Sequence, residues 1–358
     1  MYALQDLGWT DSHITDFEPY AAAGLLPARV AAQHRGEYDL FSELGELRAV
    51  PAGRLSHEAS GTGDLPAVGD WVAIAARPEE GTARIEAVLP RRTKFSRKVA
   101  LTASQEQVLA ANVDTVFLLM SLNEDFNLRR LERYVTMAWE SGARPVIVLT
   151  KTDLYPDWRA RVLEVEAIAF GLPVHAISSV TGEGLDLVRS HLATGQTIVL
   201  LGSSGGGKST LVNTLAGEEL LATQEIREDD GEGRHTTTHR QLVLLPGGGM
   251  VLDTPGLREL QLWESADGIS ETFGDIEEIE LRCRFSDCGH VTEPGCAIRA
   301  ALADGTLDAG RWESYLKLQR EAAHLERRLD KRLAAQEKKK WIKAGQEGRA
   351  NMLRKRGR

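Results

Sequence analysis

One segment stands out by the types and spacing of its residues. Gly202-Ser203-Ser204-Gly205-Gly206-Gly207-Lys208-Ser209 fits G-x4-G-K-[ST] and stands between the apolar run TIVLL and the helix-forming TLVNTLAG that begins at Thr210. Glycines at these places let successive backbone N–H groups turn inward around phosphate oxygens, and the following helix adds the positive end of its dipole. Lys208 then reaches the terminal phosphates, and the Ser209 hydroxyl is placed to ligate Mg²⁺. Chance matches rarely fall between a strand and a helix, so a nucleoside triphosphate is the expected ligand.

Three companions support that reading. The run MVLD ends in Asp253-Thr254-Pro255-Gly256, where a carboxylate at a strand tip can hold the metal through water and Gly256 can approach the γ-phosphate. Between the two lies Gly233-Arg234-His235-Thr236-Thr237-Thr238-His239, read as a switch segment in which Thr237 offers Mg²⁺ a second hydroxyl; the competing reading is a mere lead-in to the next strand. Upstream, Thr150-Lys151-Thr152-Asp153 follows PVIVLT, and Ser178-Ser179 follows PVHAI. A carboxylate such as Asp153 accepts two hydrogen bonds from the guanine N1–H and amino group, a pattern adenine lacks, so the expected base is guanine. TKTD alone is a weak signal, and its place at a strand end one unit before a small polar turn is what raises it.

The three cysteines, Cys283, Cys288 and Cys296, fall with His290 in the spacing C-x4-C-x-H-x5-C. Three thiolates and an imidazole suit one tetrahedral Zn²⁺ with no position left for water, which makes the expected role structural. Buried thiols beside a capping histidine are the alternative.

Elements that would position these groups follow from the periodicity. Short alternating runs (28–42, 45–53, 68–76, 83–91) predict a five-stranded barrel of the oligonucleotide-binding type over 27–97, after an N-terminal extension, 1–26. Barrels of this kind either bind nucleic acid or only pack on neighbours. From 98 to 266, apolar strands (113–120, 145–150, 173–178, 197–201, 241–245, 250–253) alternate with helical stretches such as Leu128 to Ser141 and Trp158 to Phe170, the pattern of a parallel α/β sheet. The text from 267 to 358 is helical and charged around the cysteines, including Arg311 to Gln336. In the extension, GWTDSHITDFEPY has aromatic spacing suited to capping the barrel.

Among 358 residues the formal charge is −9, which argues against a generic nucleic-acid binder, yet 338–358 carries nine Lys and Arg against Glu347 alone. Such a tail either neutralises phosphates or is a solvated helix end. No apolar run approaches the roughly 20 residues of a membrane helix, and the start lacks a basic leader, so no membrane and a cytoplasmic location are expected.

The order of motifs is unusual, since the base motif at 150–153 precedes the phosphate loop at 202–209. A parallel sheet tolerates this permutation because strands keep their places while the termini move. With the barrel ending in RRTKFSRKV, the entry AANVDTVFLLMSLN, the phosphate loop, GRHTTTH, DTPG and the cysteine cluster, the chain resembles the ribosome small-subunit-dependent GTPase A family (RsgA, also called YjeQ or YloQ) from about residue 25 onward. The resemblance implies a GTPase that binds GTP and GDP, contacts rRNA and ribosomal proteins of the small subunit, acts late in its maturation and is stimulated by it; a monomer is expected. It also implies Zn²⁺, Mg²⁺ with GTP, and His235 as the group that orients the attacking water, because Leu257 stands where Ras-like enzymes carry Gln. His235 as a surface residue is the alternative. One departure is Thr150 in place of the family's Asn, from which weaker guanine binding is expected. Two other readings remain: a GTP-regulated RNA-binding switch protein, and a GTPase of another process such as metal delivery.

Overall fold

The computed structural model describes residues 1–59, 61–98, 106–169, 171–220, 240–253, 266–324 and 327. Within them, β1 (Leu26–Gln33), β2 (Tyr38–Ser42), β3 (Gly45–Pro51), β4 (Trp71–Arg77) and β5 (Thr82–Val88) pair in the order β1-β2-β3-β5-β4 and close through β1–β4 into a five-stranded barrel. The alternation of buried and exposed positions in β2 and β3 is what a sheet with one wet face requires. Val30, Leu40, Ile74 and Ile85 fill the interior with no exposed surface.

The extension is folded. Helix α1 (Asp11–Ala22) carries His13 and Phe17, and Trp9, just ahead of it, stacks on His13 and meets Trp71 of β4 edge-on at 4.7 Å between centroids. Beneath it, Arg29 of β1 is 1% exposed and donates to the carbonyls of Leu7, Gly69 and Asn112. Its charge is thus spread over acceptors from the extension, the barrel and the segment after it, while burial lowers its pKa to about 10.

A hairpin of β6 (Lys94–Lys98) and β7 (Glu106–Ala111) leads into the second sheet, straddling residue 98. Its strands are β8 (Thr115–Ser121), β9 (Arg144–Thr150), β10 (Val174–Ala176), β11 (Thr197–Gly202), β12 (Arg240–Leu244) and β13 (Met250–Asp253), ordered β10-β9-β8-β11-β13-β12. Pairing is parallel except that β12 runs antiparallel to β13. The short connection Leu245–Gly249 between them turns the chain straight back, which corrects the all-parallel expectation. The outer side of β12 pairs with β1 through Ala32↔Gln241 and Gln33↔Arg240, so barrel and α/β sheet form one eleven-stranded system.

Central strands β8 and β11 are buried at every position, as continuous apolar runs must be when helices cover both faces. Helix α2 (Gly53–Glu58) belongs to a barrel loop, whereas α3 (Leu128–Ser141) starts at Asn127, whose Oδ1 accepts the Arg130 N–H, and stops at Gly142 with φ 82°. Helix α4 (Trp158–Glu166) is shorter than expected, its end tightening into an i to i−3 turn where the Ile168 N–H donates to the Val165 carbonyl, ahead of Gly171 and Pro173. Helices α5 (Leu185–Arg189) and α6 (Lys208–Ala216) complete this part.

C-terminal to it, α7 (Ala266–Glu280), α8 (Ala297–Asp304) and α9 (309–324) flank the cysteine loop. They dock on α3 through a buried apolar cluster, in which Ile269, Phe273, Ile276 and Tyr315 lie with Leu131 and Val135, and through polar contacts. Arg311, 4% exposed, bonds Glu132 at 2.9 Å and Asp275 at 2.7 Å, and Thr136 bonds Thr272 at 3.1 Å. A Cβ on Gly268 would lie 2.5 Å from the Thr136 carbonyl, so only glycine allows this approach. The expected helix from Arg311 to Gln336 begins at 309 and is described to 324; the basic tail at 338–358 lies outside the described residues.

Candidate functional site

Strands β8, β9, β11 and β13 all end at one edge of the sheet, as the registers Ser121↔Thr150, Leu119↔Gly202 and Val199↔Leu252 require. From β8 the chain moves outward to β9 and β10, and from β11 it moves the other way to β13, so the crevice between β8 and β11 is the topological switch point where α/β sheets bind ligands. The loop Gly202–Ser209 opens there.

Its glycines have different duties. At Gly202 a Cβ would stand 2.6 Å from the Leu119 carbonyl, so the glycine is needed for close strand packing. Gly205 and Gly207 adopt φ 71° and 87°, the left-handed turns that curl the backbone before α6. Gly206 is buried, Ser203, Gly207, Lys208 and Ser209 are half-buried, and Ser204 and Thr210 face solvent. Lys208 Nζ lies across the loop, donating to the Gly202 carbonyl at 2.8 Å and to that of Ser203.

The base motif is brought to the same place. Thr150, 3% exposed, donates its Oγ1–H to the Gly206 carbonyl at 3.0 Å. Thr150 therefore braces the loop Gly202–Ser209 across 56 residues of sequence. Lys151 adopts φ 66°, an uncommon conformation for a non-glycine residue, and turns the chain into the short 3-10 helix Thr152–Leu154 that carries Asp153. The Thr152 N–H donates to the Ile177 carbonyl at 3.2 Å, joining this motif to the Ser178-Ser179 loop. There Ser178, fully buried, accepts the N–H groups of Val180 and Thr181 at 3.2 and 3.1 Å and so shapes the turn. Asp253 ends β13 beside β11. His235, Thr237 and Gly256 lie outside the described residues.

One contact has no counterpart in the sequence motifs. Asp125, in the loop between β8 and α3, accepts the Ser203 hydroxyl through Oδ2 and pairs with Arg130 at 2.8 Å. No spacing rule singles out a lone Asp between a strand and a helix, and only the register of β8 on β11 brings it to the loop.

The second cluster is equally compact. The Sγ atoms of Cys283, Cys288 and Cys296 and a ring nitrogen of His290 lie within 4.8 Å of one another. His290 Nδ1 stands 3.7 Å from Cys283 Sγ and 3.4 Å from Cys296 Sγ, close to the edge of roughly 3.5 to 3.8 Å that bonds of about 2.0 to 2.3 Å define in a tetrahedron. Its other nitrogen, Nε2, faces Glu280 Oε1 at 3.3 Å, which fixes Nδ1 as the ligand atom. Backbone N–H groups of Ala297 and Arg299 point at Cys283 and Cys296 sulfur at 3.3 and 3.4 Å, a stabilising field for thiolates. These four residues can hold a metal ion.

A model of the RsgA GTPase family matches residues 88–263. The chain is 51% identical over 358 residues to the small ribosomal subunit biogenesis GTPase RsgA of Opitutus terrae, covering 97% of each. Its identity to the protein of that name from Syntrophotalea carbinolica is 49% over 349 residues, 95% of each. Among solved structures, YjeQ from Thermotoga maritima superposes with a TM-score of 0.62 at 27% identity, covering 84% of this chain and 99% of that one. The fold is also that of YloQ, a circularly permuted GTPase, with a TM-score of 0.59 at 23% identity over 84% of this chain and 96% of that one.

Proposed function

The chain belongs to the RsgA GTPase family, and from that premise we propose that it hydrolyses GTP in the biogenesis of the small ribosomal subunit, with turnover stimulated by that subunit. The observation that carries the reading is the bond from Thr150 to the Gly206 carbonyl, which ties a base motif to a phosphate loop that follows it in sequence. That tie holds both motifs at one place, as recognition of a single nucleotide requires.

In this reading Gly202–Thr210 cradle the phosphates, Asp153 with Lys151 reads guanine, and the Ser178-Ser179 turn supports the base. The Ser209 and Thr237 hydroxyls, with Asp253 acting through water, would hold Mg²⁺, which would supply charge neutralisation on the triphosphate. Lys208 leaves its two carbonyl acceptors for phosphate oxygens, Gly256 meets the γ-phosphate and His235 orients the attacking water. Thr150 keeps the bracing function of the usual Asn and forfeits a contact to the base. Zn²⁺ fits the Cys283, Cys288, His290 and Cys296 set as a structural ion, since three thiolates and an imidazole complete its tetrahedron.

The units we assign are the extension 1–26, the barrel 27–97, the GTPase domain 98–266 and the metal-binding region 267–358, in a cytoplasmic monomer whose barrel and C-terminal region touch rRNA and ribosomal proteins. No helix among the described residues is long and apolar enough to cross a membrane. The test is GTP turnover by the purified protein alone, with small subunits and with an equal amount of large subunits. Selective stimulation by the small subunit is expected. Turnover without stimulation would retain the GTPase and discard the ribosomal target.

A further inference from the structure

The contact between Asp125 and Ser203 lies outside every motif assigned above, and its surroundings are built to hold it. Asn123 Oδ1 accepts the Asp125 N–H at 3.1 Å and the Ser121 hydroxyl at 2.7 Å, which folds the loop after β8 into a fixed turn. Asn127 caps α3, and in the first turn of that helix Arg130 reaches back to the Asp125 backbone carbonyl and to its carboxylate. The carboxylate is therefore immobilised from both sides before it meets Ser203 Oγ. Ser203 is the first residue after the strand-ending Gly202, and its carbonyl is also one of the acceptors that hold Lys208.

We propose that Asp125, locked by Arg130, is a positioning residue that pre-forms the phosphate loop through the Ser203 hydroxyl. The inference rests on reading Gly202–Ser209 as the phosphate loop. A loop with several glycines has much conformational freedom to lose when it closes on a ligand. Fixing Ser203 from a rigid helix end places that loss in folding rather than in binding, so nucleotide affinity rises. Arg130 has a second effect, because a bare carboxylate this close to phosphates would repel them, and the guanidinium at 2.8 Å offsets its charge. The tie acts on the loop as a whole, so GDP and GTP gain alike and the benefit is seen in binding more than in the rate of the bound complex.

The experiment measures GDP affinity and GTP turnover for Asp125→Ala, Asp125→Asn, Ser203→Ala and the double variant Asp125→Ala/Ser203→Ala, with Lys208→Ala as control and the melting temperature recorded for each. Loss of one charge-assisted hydrogen bond predicts a weakening of about five- to tenfold in GDP affinity and in KM, with the change in kcat smaller than that in KM. The double variant should be no weaker than either single one, because both remove the same bond. Asp125→Asn, which still offers an acceptor oxygen, should recover part of the loss. Multiplying effects in the double variant, or unchanged affinity in Asp125→Ala, would overturn the proposal. Melting temperatures that fall in step with affinity would overturn it too, since the residue would then be merely structural. If Lys208→Ala also left GDP binding intact, the failure would lie instead with the phosphate-loop reading itself.

Discussion

The barrel buries Val30, Leu40, Ile74 and Ile85 completely, whereas between Leu281 and Cys296 only Cys296 is buried, and Leu281, Phe285 and Val291 are 86%, 41% and 73% exposed. That loop contains no helix or strand and buries almost no apolar surface, so hydrophobic burial cannot hold it. What it offers instead is four ligands converging on one point, braced by Glu280 on the far side of His290. The attachments differ in the same sense. The barrel joins the α/β sheet by backbone pairing and by the buried Arg29, while the helices around the cysteine loop join α3 by side chains, with Ile269, Phe273 and Ile276 in one buried cluster with Leu131 and Val135 and with Glu132, Arg311 and Asp275 beside them. The barrel is held by its apolar interior, and the cysteine loop by the point on which its four ligands converge.

The largest expected effect breaks the second arrangement and spares the first. Binding of a structural zinc ion is worth on the order of 10 kcal/mol in small domains, far more than such a loop can replace. Chelation, or Cys283→Ser, should release one equivalent of metal and abolish amide protection across 281–304, with protection in β1 to β5 retained. Elemental analysis with hydrogen exchange reads both, and a loop that stayed protected without metal would refute the comparison.

A smaller effect tests the attachment. Arg311→Met keeps the apolar stem but leaves Glu132, 1% exposed, with Arg129 as its remaining partner among the described ion pairs. Breaking a buried pair costs about 3 kcal/mol, and the loss should appear as early unfolding of α7 to α9 at unchanged metal content. Leu40→Ala sharpens the contrast from the other side. Emptying a wholly buried site costs about 2 to 4 kcal/mol, read as a lower urea midpoint in the barrel with the metal still bound.

Legibility in the sequence divides along the same line. The strand–glycine turn–helix at Gly202–Ser209 and the convergence of the C-x4-C-x-H-x5-C set were readable because ligand geometry fixes residue type and spacing locally. Strands β8 and β11 were readable because full burial leaves an unbroken apolar run. The pairing of β12 with β1 joins residues 207 apart in sequence, as Gln33 and Arg240 show, and nothing in either strand announces its partner. Asp125 was invisible for the same reason. The role of Thr150 was half legible: its departure from Asn suggested a weakened site, and only the fold places its hydroxyl on the Gly206 carbonyl. The extension was half legible: the aromatic spacing of GWTDSHITDFEPY suggested a cap on the barrel, and the fold adds that His13 and Phe17 lie one turn apart on α1.

His13 supplies the finest test, because the barrel side should answer to pH by a route of its own. It is 2% exposed, stacked on Trp9 at 5.0 Å, and its Nδ1 accepts the Thr10 N–H at 3.0 Å while Arg92 approaches the same atom at 3.0 Å. With Nδ1 already facing two donors there is no room for a proton on it. Burial, reinforced by the charges of Arg92 and Arg29, lowers its pKa from 6.5 to about 4. The unfolded chain binds this proton below 6.5 and the folded one only near 4, so stability is complete above 6.5 and declines as pH falls from 6.5 to 4. The full shift corresponds to no more than about 3 kcal/mol. His175 and His191, lowered by burial as well, contribute with the same sign in any protein that keeps them. His13→Phe preserves the ring stack and removes the titration, so amide exchange in α1 and β4, followed from pH 7 to 4.5, should accelerate less in this variant than in the parent. Equal acceleration in both would mean that the extension is held on the barrel by its aromatic contacts alone, and that the acid sensitivity of this half of the molecule arises elsewhere.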